Sequence, residues 1–235
     1  MSVVQQHGFD GGVATSKAVI ITSSTAGTSI IVGSCGNGAA SGVPTDNIGN
    51  TWPAAALGPI SATQNLTVWV LPGNLNTGGI TTVTIHQPAP CGWVVEEDGL
   101  IASPVDKVAG QTFTGTAVTS GNTATLSQAA EVCYGFASNQ NNITYTAGSL
   151  WSAAAFTSQG GTGTTVVGNQ ENTTVGPNIL FIERQVVSAT TALAATMSQV
   201  GGGFNEAGIV TLMQGSGPIA PPAPMYYRKN VLYFI

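Results

Sequence analysis

Leu66-Thr67-Val68-Trp69-Val70-Leu71, followed across Gly78-Gly79 by Thr81-Thr82-Val83-Thr84-Ile85-His86, decides the fold class of this 235-residue chain. In the first run Val68 and Val70 share one face and Trp69 takes the other. In the second, Val83 and Ile85 alternate with Thr82 and Thr84. Successive side chains of a strand point to opposite faces, so a period of two predicts strands here. The branched Val, Ile and Thr side chains suit a pleated surface and lose rotamer freedom in a helix.

The same period continues outward in both directions. Residues 18–23 and 28–34 read as two strands around a Thr25-Ala26-Gly27 turn, and 93–97, 124–126 and 131–137 read as further strands. A last group covers 178–187, 192–199 and 208–214, with Gly201-Gly202-Gly203 joining the final two. No amphipathic helical run separates them, which predicts an all-β antiparallel sandwich rather than a parallel α/β sheet. Residues 139–165, with Gly160-Gly161-Thr162-Gly163, read as a loop. Residues 1–16 lack alternation and read as an N-terminal arm, ahead of a sandwich domain over 17–215. Residues 216–235 form a C-terminal arm: a spacer with Pro218, Pro221, Pro222 and Pro224, then a crowd of aromatic and apolar side chains. That tail reads equally as an arm docking on a neighbour or as a strand returning to the sheet edge.

Only 6% of the residues are charged, ten acids against five bases, for a net charge of −5. Nucleic-acid binding needs clustered Lys and Arg, so this balance argues against it. The apolar runs are far below membrane-spanning length. The N-terminal MSVVQQHGFDGG has neither a basic region nor an apolar core, so it reads as no secretory signal. Cys35, Cys91 and Cys133 lack a CxxC spacing and lie in apolar segments, which predicts small buried thiols rather than a zinc site.

Several segments in order carry a resemblance. These are the Asp46-Asn47-Ile48-Gly49-Asn50-Thr51-Trp52 turn, the runs 66–70 and 82–85 as paired central strands, and Val94-Val95-Glu96-Glu97-Asp98-Gly99 with Ser103-Pro104-Val105-Asp106. Glu131-Val132-Cys133-Tyr134-Gly135 and a closing hairpin over 192–212 follow. Together, over residues 17–215, they resemble the jelly-roll, concanavalin A-like sandwich domain of phage and bacterial surface proteins. A stand-alone sandwich with arms is similar to the decoration (cement) and fibre-associated proteins of tailed bacteriophages. The resemblance implies a non-enzymatic virion structural protein: a capsid decoration protein that stabilises the shell by bridging neighbouring subunits. It further implies the major capsid protein or other virion proteins as partners, a homo-oligomer (a trimer by analogy), no cofactor, and no nucleic acid or membrane partner. Localisation would be the virion, assembled in the host cytoplasm and released by lysis. Partner contacts are expected in the tail at Tyr226, Tyr227, Arg228, Lys229, Leu232, Tyr233, Phe234 and Ile235. The alternative is a tail or fibre receptor-binding protein, or a lectin-like carbohydrate-binding protein, with a glycan contact at Trp151.

Other residue groups have the composition of chemical sites. Glu96, Glu97, Asp98 and Asp106 are the densest acids, but the E-E-D-G run lacks the same-face spacing of a glycosidase pair and reads as an ion-paired or capping cluster. Asp46, Asn50 and Asp106 could supply oxygen ligands to calcium, yet Asp-x-x-Gly-Asn reads first as a turn. His86 has no nucleophile motif beside it. Trp52, Trp69, Trp93 and Trp151 raise a sugar-stacking reading, but Trp69 and Trp93 lie within strands and are expected in the core or at a subunit contact.

Overall fold

The computed structural model describes residues 2–12, 14–36, 42–141, 145–148, 157–158, 179–201 and 203–215. Trp151 and the tail 216–235 lie outside these residues. In chain order the strands are β1 (Val3–Asp10), β2 (Lys17–Ile20), β3 (Ser29–Cys35), β4 (Gly42–Asp46), β5 (Thr67–Leu71), β6 (Thr82–His86), β7 (Cys91–Glu97) and β8 (Leu100–Thr114). They continue as β9 (Ala117–Thr119), β10 (Glu131–Asn139), β11 (Tyr145–Ala147), β12 (Thr157–Ser158), β13 (Ile179–Val187), β14 (Thr196–Gln199) and β15 (Phe204–Gln214). Among the described residues there is no helix, and the fold is all-β and sandwich-like.

Four sheets stack in layers. The order β2-β6-β4 forms one outer sheet, β12-β1-β7-β3-β5 and β13-β10-β15-β8 form the two central ones, and β11-β14-β9 forms the other outer sheet. Every pairing is antiparallel except the short parallel contact of β12 with β1. Three apolar layers lie between the four sheets, and the period of two assigns side chains to them. On β3, Ile31 enters the middle layer while Ile30 and Val32 enter the outer one beneath β2 and β6. On β10, Val132, Tyr134 and Phe136 face the middle layer, and Cys133 and Ala137 face the outer layer beneath β14 and β9. Both central sheets are therefore covered on both faces, which explains why β3, β5, β7 and β10 are buried along their whole length. Trp69 and the pair Val68, Val70 separate into different layers, as their alternation requires.

The chain uses the same plan twice. Over residues 3–97 successive strands alternate between a central and an outer sheet, giving the orders β1-β7-β3-β5 and β2-β6-β4. Numbered one to seven within that half, these are 1-7-3-5 and 2-6-4. Over residues 100–214, leaving aside the two-residue β12, the strands β8, β9, β10, β11, β13, β14 and β15 give 1-7-3-5 and 2-6-4 again. Among the described residues, and apart from β12, the molecule is thus two seven-stranded sandwiches of one topology, packed through their larger sheets.

Several sequence expectations change in this light. The runs 66–71 and 81–86 are strands but do not pair: β5 bonds β3, whereas β6 bonds β2 and β4 in the neighbouring sheet. The closing segment is not a hairpin, because β14 pairs β9 and β11 while β15 pairs β10 and β8. Each connecting turn lifts the chain from one sheet to the other. Residues 124–126 form no strand, and the longest described strand, β8 at 15 residues, arises from a stretch to which the sequence reading assigns no element. The stretch expected as an N-terminal arm carries β1, which pairs with β7 over Val3–Asp10 and buries Phe9.

Candidate functional site

The acidic run sits where β7 ends, and the strand period sends its members apart. Glu96 points into the outer layer of the first half. Its Oε1 accepts from Thr25 N and Thr28 Oγ1, both at 2.7 Å, and its Oε2 accepts from Gln5 Nε2. Glu97 points into the middle layer, fully buried. There Arg184 of β13 grips it through Nη2 to Oε1 at 2.7 Å and Nε to Oε2 at 3.1 Å, and the Tyr134 hydroxyl of β10 donates to Oε2. Burial alone would lower the Arg184 pKa; the Glu97 carboxylate outweighs it and leaves it raised. The Tyr134 phenol is pushed well up by burial and by Glu97. This ion pair joins the two halves, as does the 3.3 Å hydrogen bond that Trp93 Nε1 donates to Leu180 O. Asp98 Oδ1 accepts from Ser2 N. Asp106 lies apart on β8, where burial raises its pKa but hydrogen bonds from Lys107 Nζ and from the hydroxyl and amide of Ser127 hold it at about 2. The run acts as a clamp between strands and halves, the ion-paired and capping role its spacing suggested.

The Asp46 turn is equally occupied. Asp46 Oδ1 accepts from Ile48 N at 3.0 Å and Asn50 N at 3.2 Å. Its Oδ2 accepts from Asn50 Nδ2 at 3.0 Å and Trp52 Nε1 at 2.8 Å. Four donors fill the lone-pair positions of a carboxylate. Gly49 takes φ +78°, which closes the turn at no steric penalty. Asp46 and Asn50 come together, while Asp106 sits on β8 with Lys107 and Ser127. Among the described residues no group of three or more His, Cys, Asp or Glu is arranged to hold a metal ion.

Three buried acids escaped the sequence reading. Glu206 on β15 accepts from Ser61 Oγ and from the Leu66 amide at 2.7 Å, so it pins the loop 61–66 over the middle layer. Burial raises its pKa against those hydrogen bonds. Glu183 on β13, with no solvent exposure, accepts from the Gly148 amide through Oε2 at 3.1 Å while its buried Oε1 has no hydrogen-bond partner, and burial pushes it up to about 8. Glu131 opens β10, raised by burial. Glu183 and Glu206 lie inside strands otherwise rich in apolar residues and Glu131 stands at the head of one, and an acid in such a run is the signal by which sequence could have found them. The imidazoles make local contacts, His86 Nε2 with Thr45 Oγ1 and His7 Nε2 with Gln5 Oε1, each at 2.9 Å. Burial lowers the His7 pKa.

Comparison with protein-family models, curated proteins and solved structures gives no match.

Two surface features remain. Strand β8 ends its sheet, pairing only with β15 among the described strands, and it leaves Val105 and Val108 37% and 40% exposed. Beside it, where β5 ends the other central sheet, a groove of about 310 Å³ is lined by Pro53, Ala54, Val70, Pro72, Pro104 and Val105. Trp52, Trp69 and Trp93 are all buried and offer no ring face to a sugar.

Proposed function

We propose that the protein is a structural component of a bacteriophage virion, a decoration or cement protein that stabilises the shell by bridging neighbouring subunits. The observation that carries this reading is the 15-residue strand β8, which among the described residues pairs on one side only, beside an apolar groove. An unpaired edge is a template for another chain unless something covers it. Pro104 and Lys107 restrict which partner can add there, and the groove supplies apolar area for one that fits. The acids of this chain support the same reading, because those of the β7 run and the Asp46 turn are taken up in holding strands together. We also infer that each half is a jelly roll one strand short. Its support is the alternation of successive strands between the two sheets of each half and the shared 1-7-3-5 and 2-6-4 orders. The tail, Tyr226–Ile235 with Arg228 and Lys229, is the second contact in this account.

The test is reattachment to purified expanded capsids that lack the protein. Stoichiometric binding and a raised capsid disruption temperature are expected, with binding weakened by Val108→Asp and by removal of residues 218–235. No capsid binding, together with retention on a glycan column, would transfer the chain to the carbohydrate-binding class.

A further inference from the structure

Cys35 and Cys91 stand directly opposite one another in the β3–β7 ladder. Their sulfurs are 3.0 Å apart, and both residues have no solvent exposure. Residues opposed in an antiparallel pair hold their Cα atoms about 4.5–5.5 Å apart, within the roughly 4.4–6.8 Å range of a disulfide. Closing the sulfurs to the covalent length of about 2.05 Å needs about 1 Å of movement, within reach of χ1 rotation. Cys133 cannot compete, because it points from β10 into the outer layer of the second half while the other two share the middle layer. We propose that Cys35 and Cys91 form a cross-strand disulfide site whose redox state is set while the chain folds and is then kept.

The oxidant belongs to the class of disulfides, either a low-molecular-weight one such as glutathione disulfide or a thiol–disulfide oxidoreductase. One cysteine thiolate attacks the oxidant's sulfur and releases a thiol, giving a mixed disulfide. The second cysteine thiolate then attacks the protein-side sulfur and displaces the other thiol. The pair loses two protons and two electrons, one S–S bond forms in the protein, and the oxidant's S–S bond becomes two thiols. Burial pushes the Cys35 thiol well up, and the neighbouring Cys91 adds to this. Once the sheets close, both sulfurs are out of reach of an oxidant or reductant in solution. Exchange therefore belongs to the folding chain, and the folded protein resists both oxidation and reduction.

The test refolds the wild-type chain and a Cys133→Ala variant with either dithiothreitol or a mixture of glutathione and glutathione disulfide. Each product is denatured without reductant, alkylated and weighed. After the glutathione mixture, wild type should take one alkyl group, mapped to Cys133, and the variant none. After dithiothreitol they should take three and two. The linked form should melt about 10 °C higher, since the bond closes the long loop between β3 and β7 in the unfolded chain. Three alkyl groups on wild type in both arms would overturn the proposal. So would a link that includes Cys133, or a glutathione adduct in place of the link. If the variant does not fold, peptide mapping of the wild-type products distinguishes the same outcomes.

Discussion

Glu183 shows how this chain uses its few ionisable residues. Its carboxyl lies wholly inside, met by the Gly148 amide on one oxygen, and burial pushes its pKa up to about 8 against an ordinary 4.5. Below pH 4.5 it is protonated in folded and unfolded chains alike. Between pH 4.5 and 8 the unfolded chain ionises while the folded one keeps the proton, so stability falls as pH rises through that window, by ~4 kcal/mol. Glu183→Gln keeps the shape and removes the proton, so its melting temperature should lose most of that decline between pH 5 and 8. An unchanged slope would show that the folded carboxyl is ionised. Asp106 works in the opposite sense: held at about 2, it adds stability above pH 4 that is lost as pH falls toward 2. The capping role of Glu96 and Asp98 was legible in the sequence, because a carboxylate at a strand end meets free amides. The partner of Glu97 was not legible, since Arg184 lies 87 positions away in the other half.

At the scale of the element, alternation told which face each side chain takes but not which strand pairs with which. Residues 66–71 and 82–86 have the pattern of a hairpin, yet the chain between them crosses from one sheet to the next. Period two is identical on either side of such a crossing, so only the long-range ladder decides. Strand β8 was missed because Ser103, Asp106, Lys107, Gln111 and Thr112 break any clean apolar run, as suits an edge that faces solvent. The approach of the central sheets is set by Gly33 of β3, where a Cβ would fall 2.5 Å from Phe136 Cε1 on β10. Gly33→Ala should therefore destabilise the protein by about 1–3 kcal/mol through overpacking. Adding Phe136→Leu should recover part of the loss, as read from the denaturant midpoint. A neutral Gly33→Ala would mean that the sheets are not in contact there.

At the scale of the whole molecule, the repeated strand order was hidden because topology repeats here without register. Gly33 and Gly135 each sit near the middle of the third strand of their half, yet Gly33 faces Phe136 in the middle layer while Gly135 faces Ala195 and Glu183 in the outer one. Equal folds with opposite facing leave no matching residue pattern along the chain. The all-β class and most strands were legible because they rest on local period. The four layers were not, because they depend on pairings far apart in sequence. Among the described residues the two sandwiches pack through their larger sheets, and β8 pairs on one side only, with Val105 and Val108 exposed. The most direct test is an image of purified particles at a resolution that admits the four-layer stack. Copies should be spread over the shell in fixed ratio to the capsid subunit, with the β8 edge against a neighbour. Absence from the particles, or confinement to the tail, would contradict it.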